Sequence, residues 1–297
     1  MILRNSLFTF AVAASFVNAG AAIPVYQDET RPLDERVEDA LSRMTLQEKA
    51  NMIHAQGKFS SAGVPRLGIP DLWMSDGPHG VRAEINWNDW GYSNRTNDSI
   101  TAFPALTALA ATWNPDLSFA YGNALGEEAL YREKDVMLGP GVNIYRTPLN
   151  GRNFEYMGED PYLASVLVVP YIKGMQQNGV AASVKHFALN NQELWRGHID
   201  VNLSDRALHE IYLPAFKSAV IDGDSWTIMG SYNKIRGQHA CHNEMLLNKI
   251  LKDDWGYKGV VVTDWGGAHD TREAALYGLD LEMGSYTNGL TSESEFT

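Results

Sequence analysis

Short apolar runs, each ending in polar or ionisable residues, alternate with segments of helical period along most of the chain. That alternation narrows the choice of fold more than any other feature. Val260, Val261 and Val262 form a continuous β-branched run, the composition of a strand buried on both faces. It stops abruptly at Thr263-Asp264-Trp265-Gly266-Gly267. The same form recurs where Leu72 to Met74 runs into Ser75-Asp76-Gly77-Pro78 and Val136 to Leu138 into Gly139-Pro140-Gly141. It recurs again where Ala181 to Val184 meets Lys185-His186, Trp226 to Met229 meets Gly230-Ser231-Tyr232-Asn233, and Leu279 to Leu281 meets Glu282-Met283-Gly284. Apolar spacing predicts helices over 114–134, 163–177, 204–221, 243–253 and 269–277. Strand followed by helix, this often, predicts an α/β fold with a parallel sheet or a (β/α) barrel. Counted from Leu72, an eight-fold barrel is unfinished at Thr297, so a barrel incomplete at its C-terminus is expected.

Upstream of that alternation, Val37, Ala40, Leu41 and Met44 recur at helical spacing within 32–55, and Thr45-Leu46-Gln47-Glu48 reads as a capping box that restarts the helix. Residues 64–70 read as a loop. Residues 86–99 read as a long polar, aromatic-rich loop with glycosylation sequons at Asn94 and Asn97, relevant only in a eukaryotic host. The segment 143–162 is a long loop too, and it carries Arg146, Arg152, Glu155, Glu159 and Asp160. Residues 1–21 have the pattern of a signal peptide: Arg4, an apolar stretch from Leu7 to Val17, and small residues at Ala19 and Ala21. Export to the periplasm or the medium is expected, with no membrane anchor. Cys241 is the one cysteine, so the fold rests on its core rather than on an intrachain disulfide. The net charge of −12 argues against nucleic acid or an anionic membrane as a partner.

Read together, the strand ends carry Asp76, Lys185, His186, Tyr232, Asp264 and Glu282, with Arg82 and Arg152 on adjoining loops. Ionisable groups gathered at one end of each strand are what a barrel active site looks like in one dimension. A carboxylate among cations stays ionised, as a nucleophile requires. Structural alternatives stand beside each assignment. Asp264 can be the N-cap of the next helix, Asp76-Gly77-Pro78 a simple turn, Lys185 and His186 a salt-bridged pair, and Arg152 a tie to Glu155 in its own loop. Tyr232 can be a core residue with a satisfied hydroxyl, and Glu282 a cap. His239-Ala240-Cys241-His242 is too compact to supply three tetrahedral metal ligands. No phosphate-binding glycine loop, dinucleotide fingerprint, serine elbow or HExxH motif is present, so no cofactor and no metal are expected.

The motifs Ser75-Asp-Gly-Pro-His-Gly-Val-Arg82, Gly139-Pro-Gly-Val-Asn-Ile-Tyr-Arg146, Gly151-Arg-Asn-Phe-Glu-Tyr-Met-Gly-Glu-Asp-Pro161, Lys185-His-Phe-Ala-Leu-Asn-Asn-Gln-Glu193, Met229-Gly-Ser-Tyr-Asn233 and Val262-Thr-Asp-Trp265 occur in this order. From about Leu33 to Gly284 the chain thus resembles glycoside hydrolase family 3, the β-glucosidase/β-xylosidase group. The resemblance implies a (β/α)8 TIM-barrel-like domain over 33–297 with its site at the strand C-termini. It implies Asp264 as nucleophile. Asp76, Arg152, Lys185 and His186 would grip the hydroxyls of the sugar to be cleaved, with Arg82, Met229, Tyr232 and Trp265 lining the pocket. The implied function is exo-hydrolysis of terminal β-D-glucosyl residues of a β-glucoside or oligosaccharide by double displacement. A β-xylosidase is the alternative within the family, and an inactive sugar-binding barrel the alternative of another class. β-Glucosidase members carry the acid/base Glu in a second α/β domain after the barrel, which this chain does not reach. In the N-acetylhexosaminidase branch a His-Asp dyad follows Lys-His-Phe-Pro-Gly-His. Here Lys185-His-Phe-Ala-Leu-Asn-Asn stands in its place, so a truncated barrel with nucleophile and pocket but no proton donor is expected.

Overall fold

The computed structural model of the protein describes residues 23–82 and 99–284. The signal segment 1–21, both sequons and nearly all of the 86–99 loop lie outside the described residues. Contacts divide the chain into residues 1–44 and 45–297. In the first unit a 3₁₀ turn (Val25–Gln27) precedes helix α1 (Leu33–Arg43). Asp39 joins them, accepting from the Tyr26 backbone N–H at 3.0 Å and from Arg43 Nε at 3.0 Å.

The second unit opens with the expected capping box. Thr45 Oγ1 accepts from the Glu48 backbone N–H, the Glu48 carboxylate accepts from the Thr45 N–H, and α2 (Leu46–Met52) follows. Next come strands β1 (Ser60–Ser61) and β2 (Leu72–Asp76), helices α3 (Leu106–Ala110) and α4 (Pro115–Tyr131), and β3 (Val136–Leu138). Helix α5 (Pro161–Gln176) leads to β4 (Ala181–Phe187), and β5 (Asp200–Val201) to α6 (Asp205–Ala207) and α7 (Pro214–Ile221). Then follow β6 (Thr227–Gly230), β7 (Lys234–Ile235), β8 (Gln238–His239), β9 (Val260–Val262) and α8 (Thr271–Leu276).

Six strands form one sheet in the order β1-β2-β3-β4-β6-β9, antiparallel at β1–β2 and parallel elsewhere. Two short pieces continue the ladder. Leu281 bridges Val262 in parallel, Glu282 bridges His54, and Ala55 bridges Ser61 of β1. The Ala55 N–H donates to the Glu282 carbonyl at 2.8 Å, and the Glu282 N–H to the Ile53 carbonyl at 2.9 Å. The ladder thus returns to its start as a ring of eight staves, six in the sheet and two in these pieces. The six staves counted from Leu72 are all present. Residues 54–55, expected as a helix end, and 60–61 supply the others.

Strand periodicity sorts the apolar side chains into two clusters. Met74, Val136, Leu138, Ala181, Met229, Val262 and Leu281 belong to an inner cluster, whereas Met137, Ala182, Ile228 and Val261 join the outer cluster shared with the helices. The ring is therefore filled by side chains, as barrel interiors are.

The helix expected over 204–221 is broken. Ser204 caps α6, a π-helical stretch Leu208–Tyr212 follows, and α7 restarts at Pro214. Proline has no N–H to donate and is tolerated only in a first turn, so the turn before it widens, with the Leu213 N–H reaching the Leu208 carbonyl at 3.0 Å. The helix expected over 243–253 is likewise π-helical, over Met245–Asp254. A three-stranded sheet β5-β7-β8 stands apart, its β7–β8 hairpin turning on Arg236 and Gly237, both with positive φ.

Candidate active site

Each expected residue occupies the C-terminal end of a stave or the loop after it. Asp76 ends β2, Lys185 and His186 lie near the end of β4, Met229 is in β6 with Tyr232 just beyond, and Asp264 and Trp265 follow β9. Arg152 starts the 3₁₀ turn Asn153–Glu155 in the loop after β3. Asp76, Arg152, Lys185, His186, Met229, Tyr232, Asp264 and Trp265 line one cavity of about 280 Å³, together with Arg196. Arg82 stands behind it, its Nη1 3.4 Å from Asp76 Oδ2 and its guanidinium 5.1 Å from the Phe59 ring centroid. Lys185 and His186 are neighbours, and a regular strand would send them to opposite faces. The pairing of β4 with β6 shifts register between Val184 and Phe187, and an irregularity of this kind re-aims side chains.

Asp264 is buried, 9% exposed. Its Oδ1 accepts from the Trp265 N–H at 2.8 Å, while Oδ2 has no hydrogen-bond partner and lies 3.7 Å from His186 Nε2. It caps no helix, because the N-cap of α8 is Asp270. Burial pushes the Asp264 carboxyl above its ordinary range, and the charges of Arg152 and Lys185 pull it part of the way back. His186 is held well below the usual imidazole range, first by burial and then by Arg152, Lys185 and Arg196, so it is neutral. Its Nδ1 is 3.1 Å from the Tyr156 hydroxyl, and burial keeps that phenol protonated. A phenol donating to Nδ1 leaves the ring proton on Nε2, facing Asp264. The opposite tautomer would set a lone pair against a carboxylate. Asn143 fixes the His186 peptide from both sides, Oδ1 accepting from its N–H at 2.7 Å and Nδ2 donating to its carbonyl at 3.0 Å.

Arg152 makes the loop tie considered from the sequence, donating Nη2–H to Glu155 Oε1 at 3.0 Å, and lines the cavity as well. Lys185 pairs with Glu155, Nζ to Oε1 3.5 Å, rather than with His186. Burial works against the charge on Glu155, but Arg152 and Lys185 outweigh it and hold the carboxyl below its usual range. The Tyr232 hydroxyl donates to the Trp265 carbonyl at 2.9 Å, and the Trp265 indole N–H to the Lys58 carbonyl at 2.6 Å. Trp265 packs 5.3 Å from Phe59 as part of the barrel interior, so little of its ring is a free platform. The Glu282 backbone closes the ring.

Arg196 is a cavity residue with no signal in the sequence, since it sits in an irregular loop. Its Nη1 donates to Glu193 Oε2 at 2.7 Å and its guanidinium lies 4.3 Å from the Tyr232 ring centroid. Around His239-Ala240-Cys241-His242, the His242 Nδ1 is 2.7 Å from Glu273 and the Cys241 thiol donates to the Ser231 carbonyl. Among the described residues no three His, Cys, Asp or Glu side chains converge as metal ligands. Nor, among them, is any helix long and apolar enough to cross a membrane.

A buried carboxylate with one free oxygen, set beside cations and hydrogen-bonding groups at barrel strand ends, suits attack on a polyhydroxylated substrate. Comparison with known proteins supplies the family. The sequence model of the glycosyl hydrolase family 3 N-terminal domain matches residues 46–278. β-Glucosidase BoGH3A of Bacteroides ovatus is 76% identical over 273 residues, which are 92% of this chain and 36% of that protein. An exo-α-(1→6)-L-arabinopyranosidase of Bifidobacterium longum is 43% identical over 259 residues, 86% of this chain and 34% of its own length. The structure of β-glucosidase 3B from Thermotoga neapolitana in complex with glucose matches with a TM-score of 0.81 at 38% identity, covering 88% of this chain and 38% of that one. The chain spans about a third of the length of the curated relatives it matches. Matched over most of its length, with the motifs of its strand ends gathered around one cavity, the chain belongs to glycosyl hydrolase family 3 through that family's N-terminal domain.

Proposed function

We propose that this chain is the nucleophile-bearing and sugar-binding barrel of an exported, retaining exo-β-glucosidase. The observation that carries the reading is the buried Asp264 carboxylate, its Oδ2 without a hydrogen-bond partner, lining one cavity with Asp76, Arg152, Lys185 and His186. Asp76 would accept hydrogen bonds from sugar hydroxyls, Arg152 and Lys185 would donate them, and such bonds lower the barrier where they strengthen in the transition state. Asp264 Oδ2 attacks the anomeric carbon, the bond to the aglycone oxygen breaks with its electron pair leaving on that oxygen, and a glycosyl ester forms. Water then cleaves the ester, releasing the sugar and regenerating the carboxylate.

The neighbouring carboxylates are committed to cations: Asp76 to Arg82, Glu155 to Arg152 and Lys185, Glu193 to Arg196. Among the described residues none of these stands ready as the proton donor. General acid catalysis contributes about 10²–10⁴-fold, so a site built from these described residues should favour substrates whose leaving group needs no proton. This supports a second reading, a sugar-binding barrel without turnover.

Hydrolysis of p-nitrophenyl β-D-glucoside, with the β-D-xyloside as comparison, tests the proposal. The glucoside is expected to be the better substrate, and Asp264→Asn to lower turnover by roughly 10⁴-fold or more, the scale for loss of a covalent nucleophile. Turnover that survives this substitution would contradict the reading. Glucose binding that disappears in Asp76→Ala, without turnover, would favour the second. Sequencing the N-terminus of secreted protein tests export, with cleavage expected close to Ala19 or Ala21.

A further inference from the structure

We propose that His239, His242 and His269 form a proton-sensitive joint, which holds the β7–β8 hairpin against the loop that carries Asp264 and loosens when acid charges it. His239 ends β8, and His242 ends the 3₁₀ turn Ala240–His242 that follows. His269 comes from the loop between Asp264 and α8. The His239 ring centroid lies 4.1 Å from that of His269 and 5.6 Å from that of His242, and the last two are 6.4 Å apart. Both segments also build the cavity wall. The Tyr232 carbonyl accepts from His239 Nδ1 at 3.1 Å, and Tyr232 lines the cavity together with Asp264 and Trp265. Little room exists for the rings to part without moving the chain. A Cβ on Gly230 of β6 would lie 2.7 Å from Cys241 Sγ, and one on Gly267 2.8 Å from it.

Rings this close pack well while neutral, because like charges a few ångströms apart repel strongly where water is partly excluded. Counter-charge is scarce. Glu273 of α8 is engaged by His242, Nδ1 to Oε2 2.7 Å, and accepts from Gln238 Nε2 at 3.1 Å. Asp270 is turned to its own helix, its Oδ1 accepting from the Glu273 N–H at 2.8 Å. Cys241 keeps its proton, since burial pushes its thiol up to about 12. Among the described residues no carboxylate forms an ion pair with His239, and the groups acting on its charge are Lys234 of β7 and the two other histidines. With Nδ1–H given to Tyr232, a second proton has only Nε2 to bind. His242 Nε2 is buried with no hydrogen-bond partner, so the cluster holds a polar atom already at odds with its surroundings. Burial holds the His239 ring down at about 4, His269, His242 and Lys234 adding to the effect and the bond to Tyr232 opposing it. The unfolded ring takes its proton near about 6.5. Acidification from there towards 4 therefore favours the unfolded chain, and stability is lost across that window.

The test is NMR titration of the imidazole signals of the full chain, paired with urea denaturation at about pH 7.5 and about pH 5. Wild-type His239 is expected to titrate well below the ordinary imidazole value, and His269→Gln, which removes an exposed ring, to move that midpoint upward. Between the two pH values the folding equilibrium constant of wild type is expected to fall about tenfold further than that of His239→Gln, whose amide can still donate to the Tyr232 carbonyl. A wild-type His239 midpoint near about 6.5 would overturn the proposal, as would one that His269→Gln leaves in place. An equal fall in wild type and His239→Gln would overturn it too. Should His239→Gln fail to fold, the titrations of wild type and His269→Gln still decide. None of these outcomes depends on turnover, so the joint and the glycosidase reading stand or fall separately.

Discussion

Asp264 is a carboxyl set between opposing forces, and the balance has two consequences. Burial raises its pKa and the charges of Arg152 and Lys185 lower it, with a net position above the usual carboxylate range. Attack needs the ionised form, so kcat/KM falls as pH drops through that pKa. The acid limb of the pH–rate profile is therefore expected above the ordinary Asp value of about 3.9. Lys185→Ala removes a charge that favours ionisation, so it should move the limb to higher pH. A limb that stays in place under p-nitrophenyl β-D-glucoside kinetics would show that this charge is not felt. The second consequence concerns stability. A folded-state pKa above the unfolded one means that ionising Asp264 disfavours folding at neutral pH, a penalty absent below the unfolded value. Asp264→Asn is expected to raise Tm at pH 7 and to lose that advantage below about pH 4.

At the scale of elements, α4 and α5 meet through their backbones. A Cβ on Gly122 would lie 2.0 Å from the Tyr171 carbonyl oxygen, and one on Gly174 2.2 Å from that of Phe119. The two helices also hold the Asp76 turn, since the hydroxyls of Tyr121 and Tyr171 donate to the Pro78 carbonyl at 3.2 and 3.0 Å. Gly122→Ala therefore has to push two helices apart and should cost about 1–3 kcal/mol or more, read as a lower midpoint in urea denaturation. A midpoint unchanged from wild type would refute the close approach. The positions of α4, α5 and the long staves were legible because side-chain period follows backbone period. The close approach itself was not, since a helical glycine reads in sequence only as a weak helix former. The stave at 54–55 is held by single bridges and carries no periodicity to read, whereas that at 281–282 was legible as the short run Leu279 to Leu281 ending in Glu282. The convergence of Lys185 and His186 depends on a register shift against β6, which no local pattern encodes. Arg196 went unread because loop geometry, not spacing, brings it to the cavity. In the helix expected over 204–221 the apolar pattern continues across the π-helical stretch, so periodicity outvoted the warning given by Pro214.

For the molecule as a whole, the ring of staves ties the N-terminal part of the second unit to the segment after Asp264. Ala55→Pro would delete the N–H that donates to Glu282 and should destabilise the chain by about 1–3 kcal/mol, the cost of leaving a buried carbonyl without its donor. Equilibrium denaturation measures this, and a wild-type midpoint would contradict ring closure. The same closure brings Asp76, Arg152, Lys185, His186 and Asp264 around one cavity within a stretch that spans about a third of its relatives' length. Whether that cavity reacts can be asked without any proton donor. The measurement is intact-protein and peptide mass spectrometry after incubation with a 2-deoxy-2-fluoro-β-D-glucoside bearing a dinitrophenolate leaving group, which needs a nucleophile and hardly any acid. One fluoroglucosyl adduct on the peptide containing Asp264, absent from Asp264→Asn, is the expected result. A cooperatively folded chain that takes up no label, or takes it up at another residue, would contradict Asp264 as the nucleophile.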